Sequence, residues 1–339
     1  MSENKSNSVL ILASNSFTGS HFVEYLLEHT DHTVVGVSRS PEYNPVLLPY
    51  LYKKKQRPER FEFHQLDVNS QLAAVLELVD RHRPGAVVNY AAQGEVRNSW
   101  RWPEQWYRTN CMGIVTFANA LKDRDFIRSY VNISTPEVYG STGQNIVENE
   151  NYSPSTPYAA SKLSGDLFLG ALHKKYGFPV VSTRAANLYG IHQQLYRIIP
   201  RTIIYIKSGK KLELHGRGES LRAFIHARDV ADATYQAMTR GAPGAVYHLA
   251  PEGDLISIRA LVEMICGMMG RKLEDVAELI DENFGQDSMY SLDSSKIRHE
   301  LGWRDQISLE QGIEEMIRWI EDEWDAIQRL PHDYIHQNS

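Results

Sequence analysis

The chain is 339 residues long, 42% apolar and 23% charged, and carries a formal charge of -6. That size holds one large domain or two intimate ones, and the negative balance argues against a nucleic-acid footprint. Two cysteines, Cys111 and Cys266, cannot build a disulfide framework or a cysteine-rich metal site. With a polar start and no apolar run of membrane-spanning length, the expectation is a cytoplasmic protein with no membrane partner.

Taken in chain order, the first half alternates strand and helix. Residues 9–13 form a short apolar run, and Phe22, Val23, Leu26 and Leu27 recur at helical spacing within 20–28. Strands are predicted at 33–37, at 61–63 before Asp67, and at 86–89, with a helix at 71–81 between the last two. Residues 100–122 read as one long helix with Pro103 in its first turn. A strand at 130–134 precedes a helix at 158–176 closed by Gly177 and Pro179, then a strand at 180–184. Beyond Gly190 the rhythm loosens into helices at 198–207, 230–239 and 309–324, with short strands at 212–215 and 245–249. This alternation predicts an α/β fold, a Rossmann-type doubly wound parallel sheet with a smaller, interleaved, mainly helical lobe. The expected division is a dinucleotide-binding domain at 1–185 with part of 225–250, and a substrate lobe at 186–224 and 251–339.

A dinucleotide site needs a tight turn between the first strand and helix, where glycines let backbone amides approach a pyrophosphate. Here the turn reads Ala13-Ser14-Asn15-Ser16-Phe17-Thr18-Gly19, so only the last glycine of G-x-x-G-x-x-G is present. Ala13, Ser16, Phe17, Thr18 and Gly19 are the candidate contacts. Asp67 and Val68 follow the third strand, where a carboxylate can accept from an adenine amino group. Ala91, Ala92 and Gln93 end the fourth, where small residues let backbone approach the ribose. The second strand ends in Ser38-Arg39-Ser40, with no acid before Glu42. A guanidinium and two hydroxyls suit a ribose 2′-phosphate, so NADP is expected over NAD, with NAD still open.

Tyr158 and Lys162 lie four apart on one helix face, downstream of Thr135-Pro136-Glu137 at a strand end. An ammonium beside a phenol favours phenolate, which lets the tyrosine take a proton from a sugar hydroxyl near neutral pH. Thr135 adds a hydrogen-bonding hydroxyl and Glu137 a second base. The candidate catalytic set is therefore Thr135, Glu137, Tyr158 and Lys162.

Together these segments resemble the extended short-chain dehydrogenase/reductase family, and within it the nucleotide-sugar 4,6-dehydratases. The resemblance spans most of the chain and includes residues 154–166, 184–190, Arg222-Ala223-Phe224-Ile225-His226 with Asp229-Val230, and Leu301-Gly302-Trp303. The Arg39-Ser40 stretch is more similar to the GDP-mannose 4,6-dehydratases, which use NADP. The resemblance implies oxidation of the sugar at C4 through Tyr158, removal of the C5 proton by Glu137, loss of water from C6, and hydride return to C6, with Tyr158 and Lys162 also contacting the cofactor and Lys162 holding the nicotinamide ribose. It also implies a nucleotide-sugar substrate held by Glu95, Arg97, Asn187, Arg197, Arg222 and Asp287, and a homodimer formed through the helices at 100–122 and 158–176. Three positions depart from the pattern. Pro136 stands where dTDP-glucose enzymes have an Asp that protonates the leaving hydroxyl, Glu95 where they have His, and Asn283-Phe284-Gly285-Gln286-Asp287 where the family has Arg-Pro-Gly-x-Asp. An epimerase or decarboxylase on the same scaffold, and a non-catalytic dinucleotide-binding sensor, stay open as alternatives.

Overall fold

A computed structural model describes residues 7–54, 56–142, 145–282, 289 and 291–336. Seven strands make the central sheet: β1 Ser8–Leu12, β2 Thr33–Ser38, β3 Phe61–Gln65, β4 Ala86–Asn89, β5 Ser129–Ile133, β6 Val180–Ala185 and β7 Val246–Leu249. Their order across the sheet is β7-β6-β5-β4-β1-β2-β3, every pair parallel. The expected returning strand near 245–249 is therefore the sheet's far edge. Both faces are buried, as a parallel sheet requires. Along β1 the side chains alternate between them: Val9 and Ile11 join one apolar cluster, Leu10 and Leu12 the other.

Helices cover each face. α1 (Phe17–His29) supplies Phe22, Val23 and Leu26 to the first cluster, and α2 (Leu72–His82) supplies Val75, Leu78 and Val79 to the second. α3 (Pro157–Tyr176) adds Leu169 and Leu172 to that second cluster and ends on Gly177 in the left-handed conformation. A separate core is built largely from α4 (Ile198–Ser208), α5 (Ile258–Met268) and α6 (Leu309–Asp322), with Leu212, Leu214 and Val276.

The helix expected over 100–122 is shorter and irregular. Val96–Ser99 is a separate turn capped by Glu95, and Trp102, at φ -138°, leaves the helical region. Helix resumes at Pro103–Tyr107, passes through a π turn at Arg108–Gly113 and ends with Ile114–Leu121. The π turn sits where backbones crowd. A Cβ on Gly113 would stand 2.5 Å from Asn69 Oδ1, and one on Gly165 of α3 would stand 2.5 Å from the Asn110 carbonyl.

Strand order reverses between β1 and β4, since the chain runs outward to β2 and β3 before returning to β4. Ligands of open parallel sheets bind in the crevice at such a switch point, beyond the carboxyl ends of the strands.

Candidate active site

At the switch point, Ala13 takes a left-handed backbone (φ 56°), the conformation for which glycine is the usual choice. Ser16 caps α1: its hydroxyl donates to the Ala13 carbonyl at 2.7 Å and accepts from the Gly19 amide at 3.1 Å. Gly19 has no room for a side chain, because a Cβ would lie 2.3 Å from the Ala13 oxygen and 2.9 Å from Ser16 Oγ. The turn thus keeps the one glycine that sterics demand and replaces the others with small residues. Asn15 ties it to the end of β2, its amide donating to Ser38 Oγ at 3.2 Å and its Nδ2 to the carbonyls of Ser40 and Pro41.

A cleft of about 450 Å³ opens here. Of the expected cofactor contacts, Ala13, Ser16, Phe17, Ser38, Arg39, Ser40, Asp67, Val68, Ala91, Ala92 and Gln93 line it, while Thr18 and Gly19 lie in the first turn of α1 outside its wall and Tyr158 and Lys162 are not part of its lining. Glu95 and Arg197 also reach it. The Asp67 carboxylate closes its own turn, accepting from the Asn69 amide at 2.9 Å and the Ser70 hydroxyl at 3.3 Å. A helix N-terminus at an open cleft, a tight turn and Arg39 at its far end fit a nicotinamide dinucleotide.

The catalytic candidates stand at the end of β5 and the start of α3. Thr135 opens a 3-10 turn at Pro136–Tyr139, its hydroxyl accepting from the Glu137 amide at 3.3 Å. Thr156 caps α3, accepting from the Ala159 amide, so Tyr158 and Lys162 are successive turns of one rigid helix. Lys162 is buried, and its ammonium donates to the Ile133 carbonyl at 2.6 Å. Burial pulls its pKa down, and the Asp166 carboxylate opposes that pull.

Asp166, one turn further along α3, is the residue that sequence reasoning missed. Its Oδ1 accepts from Asn132 Nδ2 at 2.8 Å; its Oδ2 accepts from the Ser134 hydroxyl and from Arg184 Nη2 at 3.1 Å. With Lys162 on Ile133, α3 grips three consecutive residues of the strand end that delivers Thr135. Arg184 is 1% exposed and also donates to Tyr139 at 2.5 Å, while its guanidinium lies over the Tyr139 and Tyr152 rings. Asn110 was missed too. It locks the loop after β4, accepting from the Gln93 amide at 2.8 Å and donating to the Gln93 carbonyl and Ser161 Oγ, both at 3.0 Å. Arg184→Met should destabilise the fold by roughly 3–5 kcal/mol, because it removes the ion-pair partner of a buried Asp166 carboxylate. A denaturant melt checks this; a loss within about 1 kcal/mol would show that the pair holds little.

The substrate candidates divide. The short strands Asn187–Tyr189 and Phe224–His226 pair in parallel with Asn187 opposite Phe224, and the Asn187 amide donates at 3.0 Å to the carbonyl of Ala223, the residue after Arg222. Arg222 is buried, and its Nη1 donates to the Leu221 carbonyl at 2.7 Å. Arg197 precedes the first turn of α4, and its guanidinium lies 5.2 Å from the Tyr196 ring. Arg97 lines a neighbouring recess with Arg101, Arg201, Tyr196 and Tyr334. Both Glu95 carboxylate oxygens are engaged as a helix cap, accepting from the amides of Arg97 (3.2 Å) and Asn98 (2.6 Å). Asp287, with the 283–287 segment, lies outside the described residues.

A parallel seven-stranded sheet, a cleft at its switch point and a Thr/Tyr/Lys group beside it define a dinucleotide-binding protein of the extended short-chain dehydrogenase/reductase type. Residues 10–316 match the family described as GDP-mannose 4,6 dehydratase. The dTDP-glucose 4,6-dehydratase of Escherichia coli is 30% identical over 346 residues, covering 92% of each chain. That of Haemophilus influenzae is 28% identical, covering 92% of this chain and 97% of its own. Among solved structures, the Streptomyces venezuelae dTDP-glucose 4,6-dehydratase with NAD superposes with a TM-score of 0.85 at 28% identity, over 94% of this chain and 98% of that one. The chain belongs to the GDP-mannose 4,6-dehydratase family, the nucleotide-sugar dehydratases among the extended short-chain dehydrogenases/reductases.

Proposed function

We propose that the protein is a nucleotide-sugar 4,6-dehydratase, converting a nucleoside-diphosphate hexose to its 4-keto-6-deoxy form. The observation that carries the reading is the placement of Glu137 two residues after Thr135 on the turn facing out of β5, since a simple 4-epimerase needs no base at C5. A bound nicotinamide dinucleotide supplies the hydride acceptor at C4 and the hydride donor at C6. Tyr158 takes the 4-hydroxyl proton, with the Lys162 charge favouring phenolate, and Thr135 hydrogen-bonds the 4-oxygen. The 4-ketone acidifies the C5 proton, and Glu137 removes it. Pro136 cannot donate a proton, so the protonated Glu137 carboxyl returns that proton to the departing 6-hydroxyl, which leaves as water; a solvent proton delivered through Glu137 then replaces the one lost from C5, and Tyr158 releases the 4-hydroxyl proton to solvent. Incubation with a panel of GDP-, UDP-, CDP- and dTDP-hexoses tests this by mass spectrometry: one substrate should lose one water. An isomer of unchanged mass would indicate an epimerase, and loss of carbon dioxide a decarboxylase.

The cofactor in this reading is NADP. Its support is the cleft end formed by Ser38, Arg39 and Ser40 without a carboxylate; the Streptomyces venezuelae relative, by contrast, was solved with NAD. Arg39→Ala should weaken NADP binding about tenfold or more while changing NAD binding little, as loss of a charge-assisted contact predicts. Equal loss for both, measured by calorimetry, would assign the site to NAD.

Phosphates of the sugar nucleotide fall to Arg222, Asn187 and Arg197, with Arg97 and Glu95 nearer the sugar. The division into a cofactor domain at 1–185 with part of 225–250 and a sugar-nucleotide lobe at 186–224 and 251–339 belongs to the same proposal. The separate apolar core around α4, α5 and α6 supports it. We propose a homodimer through the two long helical segments as well, supported by the exposure of Met112 (52%) and Leu167 (55%) on them. Met112→Glu with Leu167→Glu should give a monomer in light scattering; an unchanged mass would place the contact elsewhere.

A further inference from the structure

The edge strand β3 carries a cluster unrelated to the cleft. Phe61 and Phe63 point to the face covered by α1, so Glu62 and His64, between and beyond them, share the opposite face, the one covered by α2. His82, the last residue of α2, comes down onto the same spot. One carboxylate then stands between two imidazoles: Glu62 Oε1 is 2.7 Å from His64 Nε2, and Oε2 is 3.6 Å from His82 Nε2. The ligand atoms of all three lie within 4.8 Å of one another.

The two ring nitrogens have an unusual environment. Both Nε2 atoms are shut off from solvent, and neither makes a hydrogen bond of acceptable geometry despite the nearby carboxylate. An imidazole lone pair facing a carboxylate oxygen repels it unless a proton or a metal cation sits between them, and titration with the metal distinguishes the two. Two imidazoles and one carboxylate around a common point form the ligand set of a zinc site that keeps a fourth position for water. Tetrahedral zinc places its ligand atoms roughly 3.3 Å apart. The separations of 2.7 and 3.6 Å run to different oxygens of Glu62 and fall on either side of that spacing, so binding an ion through one oxygen requires the side chains to draw together around it.

We propose that Glu62, His64 and His82 bind a divalent transition-metal ion of the zinc class, joining the end of α2 to the edge strand of the sheet. His64 and His82 bind through Nε2 with the ring proton on Nδ1, and Glu62 binds through one oxygen. The ion cross-links two elements on an outer edge of the sheet, outside the proposed chemistry, with water as its fourth ligand.

The test is calorimetric titration of the EDTA-dialysed, tag-free full chain with zinc chloride, alongside His64→Gln/His82→Gln and Glu62→Gln. The expected result is one equivalent bound at micromolar affinity or tighter. That equivalent is lost in the double histidine variant and weakened about tenfold in Glu62→Gln. Circular dichroism confirms that the variants fold, and zinc should raise the melting temperature of the parent but not of the double variant. No binding by the folded parent, or one equivalent retained by the folded double variant, would overturn the proposal.

Discussion

Tyr158→Phe is expected to lower turnover of the sugar nucleotide by about 10²–10⁴-fold, the range for losing a positioned general acid–base. The ring is kept, so the packing of α3 changes little. The cleft lining does not include the phenol, so dinucleotide affinity should stay within about twofold. This pairing of effects separates chemistry from binding: a residue acting only through packing would lower both. Steady-state kinetics with a parallel cofactor titration provides the check. A variant that keeps its turnover would remove Tyr158 from the mechanism and favour a protein that binds dinucleotide without using it.

Acid should unfold the protein well before its carboxylates are exhausted. Burial lowers the pKa of His192 to about 4, of His226 to about 3 and of His248 to about 4. Hydrogen bonding to Val46 partly offsets burial for His192, whereas Arg228 for His226 and Arg184 for His248 add to it. In each case the unfolded chain, near 6.5, binds the proton that the folded chain refuses. The stabilising contribution is complete above pH 6.5 and is lost as pH falls through the window down to 4 or 3. Between pH 7.5 and 5 each histidine gives up roughly 2 kcal/mol, ~6 kcal/mol for the three, against a total stability of about 5–15 kcal/mol. Urea melts at the two pH values measure the difference. His248→Gln should remove one histidine's share of that difference, roughly 2 kcal/mol, since its imidazole is held by Tyr139 Oη at 2.9 Å and the Ile146 carbonyl at 3.1 Å. A stability unchanged down to pH 5 would mean that these rings take up protons in the folded state.

Much of this architecture was legible because local patterns and the fold agree. Parallel strands buried on both faces read as apolar runs, and 86–89 matches β4 residue for residue. The helix at 158–176 announces itself by Thr156 before it and Gly177 after it. The long helix at 100–122 did not read correctly. Its break at Trp102 and its π turn come from tertiary crowding against Asn69 and α3, which helical periodicity does not encode. The same limit applies to the site. Thr135, Tyr158 and Lys162 sit at fixed spacings within one segment or on one helix face, so a motif exposes them. Asp166, Arg184 and Asn110 act through partners 17 to 51 residues away, and nothing in their own neighbourhood marks them as buried. The eroded glycine turn is the intermediate case. Gly19 is fixed by a clash computable only in space, whereas Ala13 tolerates its left-handed backbone with a side chain.

The central claim, that one hydride leaves C4 and the same hydride arrives at C6 with loss of water, has a direct test. The protein, loaded with unlabelled NADP, would be given the accepted nucleotide hexose carrying deuterium at C4, in ordinary water. The account predicts a product lighter by one water that retains the deuterium at C6. Deuterium still at C4 in an isomer of unchanged mass, or lost to solvent from a dehydrated product, would contradict it.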